Sequence, residues 1–160
     1  MRGGALPAAL IFAAIGFALA FTPRRMRLPA VFVAVLGAFV TLEIAFDVAH
    51  AEAIYIACWT SIIVAAASVH FTGHRPGWAV LALVTTCGAA AGSVIALTGT
   101  LPDLAVAVPA VLVIFPASWL VSRGNGIAVK VVSSWLIAIA ILAAALPLTP
   151  TPGYAPDHME

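Results

Sequence analysis

The chain reads as an all-α, polytopic membrane protein: a bundle of six transmembrane helices joined by short connectors. Three observations predict this. Hydrophobic residues make up 64% of its 160 positions and charged residues 8%, against roughly 45–50% and about 25% in soluble domains. A chain this short and this apolar needs the bilayer as its solvent. Its apolar residues fall into six blocks, each near the ~20 residues that cross a hydrocarbon core as a helix. With alternate connectors on opposite sides, the charges sort by sign. Glu43, Asp47, Glu52, Asp103, Asp157 and Glu160 share one face, while Arg24, Arg25, Arg27, Arg75, Arg123 and Lys130 share the other. Only Arg2 falls on the acidic side.

The blocks are residues 5–22, 28–50, 52–72, 78–98, 103–122 and 127–147. The first has a signal-peptide-like outline. Its lone preceding Arg2 and the Pro23–Arg24–Arg25 flank instead fit a retained span. The connectors at 23–27, 73–77, 99–102 and 123–126 carry the Gly, Pro and charged residues that end helices. Blocks two and three meet in barely a turn at His50–Ala51–Glu52, which predicts a tight helical hairpin. Residues 1–148 are thus expected to form one transmembrane domain, followed by an extended external tail, 149–160, held open by Pro150, Pro152 and Pro156.

Positive-inside asymmetry orients the chain in a plasma (inner) membrane with the arginine connectors cytoplasmic and both termini outside. Arg24, Arg25 and Arg27 then fix topology and meet anionic head groups. A shift of 80 residues aligns 28–33 (Leu-Pro-Ala-Val-Phe-Val) with 108–113 (Val-Pro-Ala-Val-Leu-Val), the outline of a weak three-plus-three inverted repeat. Gly88 and Gly92, within a run of small residues continued by Ala96, mark a close helix-packing face. Pro109 and Pro116, seven apart, place two kinks on nearly one face of block five and make it a candidate cavity wall.

The chemistry-bearing candidates are Glu43, Asp47 and His50. Spaced by four and then three residues, they would share one stripe of a helical block two. Glu43 would lie ~10 Å inward of His50, at a depth where a charge costs ~2.5–3.5 kcal/mol and marks a functional path. Glu52 adds a carboxylate across the hairpin, and Tyr55 sits one turn beyond it. Such a set suits a proton or monovalent cation, or a divalent metal held by oxygen and imidazole. It suits an acid–base pair only with a nucleophile or activated water added. A plain helix end, with Glu43 bonded to a neighbour, is the structural alternative.

His70 and His74, with Arg75, form a second group that has no carboxylate on its side to complete a site. Cys58 and Cys87 follow no metal or redox spacing and read as buried apolar residues. Haem is excluded because His50 and His70 fall at opposite membrane faces. Nucleotide is excluded because Arg123–Gly124–Asn125–Gly126 lacks a Walker pattern. Running into Val129–Lys130, that turn is superficially similar to the Gly-x-Gly-Asp-x-Lys signature of six-span prepilin peptidases, but Ile127 stands where the aspartate belongs and Val129 where the lysine belongs, so the resemblance is rejected. Nucleic acid is excluded because the arginines form no patch interleaved with aromatics.

The leading expectation is a transport- or channel-type protein with its cation or proton site at Glu43, Asp47 and His50. A non-catalytic accessory subunit of a larger membrane complex comes second. A metal-dependent intramembrane enzyme comes third. The partners expected are the bilayer and either further copies of the chain or other membrane subunits.

Overall fold

The structure, a computed structural model, describes residues 5–44, 46–71 and 76–146. Arg2, His74, Arg75 and the proposed tail at 149–160, with Asp157 and Glu160, lie outside the described residues.

The chain is a multi-pass membrane protein, and its described residues form helices without a strand. The helices are α1 (Ala5–Ala20), α2 (Arg24–Leu42), α3 (Ala51–Ser68), α4 (Gly77–Thr98), α5 (Leu101–Ala107), α6 (Ile114–Ser122) and α7 (Gly126–Ala145). A 3₁₀ turn, Val48–His50, precedes α3, and a 3₁₀ stretch, Val108–Val113, joins α5 to α6 so that Leu101–Ser122 runs on as one 22-residue span. That span and α2, α3, α4 and α7 are long and apolar enough to cross a membrane. The 16 described residues of α1 extend ~24 Å.

The composition of α1 explains where it sits. A helix that is apolar all round belongs inside, and α1 carries no charge or hydroxyl between Ala5 and Ala20. It packs against α3, α4, α7 and the whole length of Leu101–Ser122, the span of the fifth apolar block. Ile11, Phe12, Ile15 and Leu19 are fully or almost fully buried. At Gly16 the 3₁₀ stretch comes close: an added Cβ would stand 2.6 Å from Val113 Cγ1 and 2.8 Å from the Val111 carbonyl oxygen. Only a residue without a side chain admits that contact.

By contrast, α2 is peripheral. Its buried residues are Ala30, Ala34 and Ala38, a four-residue stripe, while Leu28 and Phe32 are 82% and 68% exposed. It lies parallel to α4. Gly88 faces the Ala34 carbonyl and Gly92 the Ala38 carbonyl, so the register advances together on both helices. Thr41 closes this seam, its hydroxyl lying 3.0 Å from the Ala89 carbonyl of α4 and 2.9 Å from its own Gly37 carbonyl.

Two sequence expectations change here. Block two ends as a helix at Leu42 rather than His50. Asp47 accepts the Ala49 N–H at 3.0 Å, and an aspartate that captures nearby backbone in this way competes with helix. The segments of the proposed repeat also occupy different places. Residues 28–33 lie in the second and third turns of α2, whereas 108–113 are 3₁₀ backbone in the middle of the fifth span.

Candidate functional site

Alternation of the spans brings like charges together. At one end stand the start of α2, the end of α6 and the start of α7, with Arg24, Arg25, Arg27, Arg123 and Lys130. At the other stand the end of α2 and the starts of α3 and α5, with Glu43, Asp47, Glu52 and Asp103.

At the carboxylate end the four expected site residues are neighbours in sequence but have separate local roles. Glu43 is the residue that ends α2 and is exposed. Asp47 is exposed and caps the 3₁₀ turn through Ala49. His50 precedes the first residue of α3 and is exposed, as is Glu52 in the first turn. The expected helical stripe is therefore broken into a helix end, a capped turn and a helix start. Among the described residues, no three of His, Cys, Asp and Glu stand close enough to hold a metal ion together. Asp103 makes a capping box: its carboxylate accepts the Thr100 N–H at 2.7 Å, and the Thr100 hydroxyl caps the backbone of residue 103. That local pattern starts α5.

Tyr55 is half-buried and packs edge-on against Trp59 at 5.8 Å between ring centres. Its hydroxyl donates to the Ala143 carbonyl at 3.0 Å, tying α3 to α7 rather than facing a void. Pro109 and Pro116 are exposed. The residues of their span that turn inward are Leu104, Ala107, Val111, Ile114 and Ala117, a three- and four-residue face that leaves the prolines outside. A proline has no N–H to satisfy, so an outward position leaves no orphan donor in lipid. Gly88 and Gly92 meet α2 of the same chain.

At the arginine end, Arg27 reaches back across the connector. Its Nε donates to the Thr22 carbonyl and its Nη2 to the Ala20 carbonyl, each at 3.0 Å. It thus satisfies the carbonyls that the end of α1 leaves open. Arg24 and Arg25 are exposed. Arg123 lies 4.4 Å over the Trp119 ring, a cation–π contact at the interface. His70 is exposed, with its Nε2 3.3 Å from the Ser134 hydroxyl of α7.

The interior between these ends is nearly all apolar. Among the described residues Thr22 and Ser133 are the buried polar side chains, and each hydroxyl bonds the carbonyl four residues back. Cys58 and Cys87 are buried, and the Cys87 thiol lies 3.6 Å from the Ser61 carbonyl. Two buried polar atoms are without a partner among the described residues: the Trp59 indole nitrogen and the Ser118 hydroxyl. Sequence reasoning passed over both, along with the tie between Arg27 and α1. For Arg27 a signal was present, because an Arg five to seven residues past a helix end can reach its last carbonyls. For the other two no sequence signal exists, since a lost partner is a property of packing.

No family model matches the chain, and neither a curated protein nor a solved structure is similar to it.

Proposed function

We propose that the chain is a non-catalytic accessory subunit of a membrane assembly, working through its lipid-exposed faces rather than through a path along its axis. The observation that carries this reading is the position of α1. An uncharged, closely packed helix fills the place where a conducting bundle needs water or polar side chains. A charge or ion crossing there would lose hydration with no group to replace it. The proposal includes six crossings, with α1 as the inner one, and an inner-membrane orientation with the arginine end cytoplasmic.

The outward faces supply the contacts. Phe32, Leu36 and Phe39 on α2 and Ile139 and Leu142 on α7 are exposed and apolar, and they can meet lipid, a further copy or another subunit. Co-purification under mild detergent tests the reading. A defined membrane partner is expected to be retained, and the chain to be depleted when that partner is deleted. A chain that accumulates and stays monomeric in every membrane background contradicts it.

Ion or proton transfer is a second reading, favoured by one observation. Glu43, Asp47, His50 and Glu52 crowd the α2–α3 connector, all exposed at one end. Vesicle flux lost on Glu43→Gln is its test, and flux unchanged by that substitution removes the site from it.

A further inference from the structure

We propose that a crevice between α2 and the fifth span holds one acidic phospholipid, with its phosphate at Arg24 and Arg27 and an acyl chain along the apolar wall beyond. The crevice has a volume of about 300 Å³. Arg24, Arg27, Leu28 and Val31 form its α2 wall, one helical face at spacings of three, four and seven. The opposite wall comes from the 3₁₀ stretch and α6 and includes Ser118. From Arg24 to Val31 the wall runs ~10 Å along the helix, cationic at the membrane boundary and apolar beyond it. That polarity is the polarity of a lipid.

Three observations point to an acidic occupant that arrives from the bilayer. First, the cations lack a counter-charge. The described carboxylates stand at the opposite end, and neither Arg24 nor Arg27 is paired with one among the described residues. Arg27 spends Nε and Nη2 on the end of α1 and keeps Nη1, while Arg24 makes no hydrogen bond among the described residues. Second, Leu28, Leu112 and Phe115 at the crevice are 82%, 55% and 70% exposed. The opening is therefore lateral, toward acyl chains. Third, the Ser118 hydroxyl is buried without a partner. The hydroxyls of Ser93, Thr98, Ser133 and Ser134 each bond the carbonyl four residues back, a bond that Ser118 does not make. A phosphate or ester oxygen of a bound lipid supplies the missing partner.

Native mass spectrometry of the full detergent-purified chain tests this with phosphatidylglycerol, phosphatidylcholine and inorganic phosphate as probes. One phosphatidylglycerol per chain is expected to be retained in preference to phosphatidylcholine. Arg24→Gln is expected to weaken retention about fivefold, the worth of one basic residue at an acidic lipid surface. Arg24 is exposed and bonds nothing among the described residues, so this change leaves folding intact. Arg25→Gln alters an exposed neighbour outside the crevice and should leave retention unchanged. Val31→Trp, which fills the crevice without changing charge, should also displace the lipid. Equal losses from Arg24→Gln and Arg25→Gln would overturn the proposal in favour of diffuse attraction. Arg24-dependent binding of inorganic phosphate that competes fully with the lipid would overturn it in favour of a free-anion site.

Discussion

Asp103 and Glu43 are both carboxylates at the same end of the bundle, yet among the described residues only Asp103 has a side-chain partner that defines its work. Its bond to the Thr100 N–H starts a helix that has no preceding turn to support it. Asp103→Ala is expected to destabilise the fold by about 0.3–1.5 kcal/mol, read as a lower unfolding midpoint in detergent. Glu43→Gln, at an exposed helix end, should change stability by under about 0.5 kcal/mol. A matching large loss for Glu43 would mean that it has a buried partner. The Asp103 cap was readable from Thr-x-x-Asp ahead of an apolar run. The fate of Glu43 was not, because the depth assigned to it assumed a helix continuing to His50. Asp47, by turning its carboxylate onto Ala49, favours the turn in which that continuation is lost.

Between elements, the seam of α2 on α4 is where small residues matter most. A side chain on Gly88 would run into the Ala34 carbonyl, and overpacking of this kind costs about 1–3 kcal/mol. Gly88→Val should therefore loosen α2, with faster amide exchange on α2 and little change on α3 or α7. Exchange raised equally across the bundle would show that α2 is no separate unit. Thr41→Val and Tyr55→Phe each remove an interhelical hydroxyl bond and should cost about 0.6 kcal/mol, at most about 1.7. Gly88 and Gly92 stood out in the sequence by their spacing among small residues. The identity of the facing helix was not legible, since Ala30, Ala34 and Ala38 look like any other alanines in so apolar a chain. The prolines of the fifth span misled for a related reason. Their spacing fixes a common face but not which way that face turns, and the inward face belongs to Ala107, Val111 and Ile114.

For the whole molecule, block lengths and charge sorting were enough to predict membrane-spanning helices, because bilayer thickness and charge cost act on every span independently. The order of the layers was harder to read. Innermost α1 carries no charge or hydroxyl, whereas outermost α2 begins with Arg24, Arg25 and Arg27 and carries Thr41, but connectors alone do not say which helix the others surround. Amide exchange is expected to be slowest in α1 and fastest in α2, since local opening follows the number of buried contacts. A solid axis with the work done on outer faces is put to the test by ion and proton flux through the purified chain in liposomes. Flux indistinguishable from protein-free vesicles under an imposed proton or potassium gradient is the predicted result. Flux well above that background, abolished by Glu43→Gln, would contradict it.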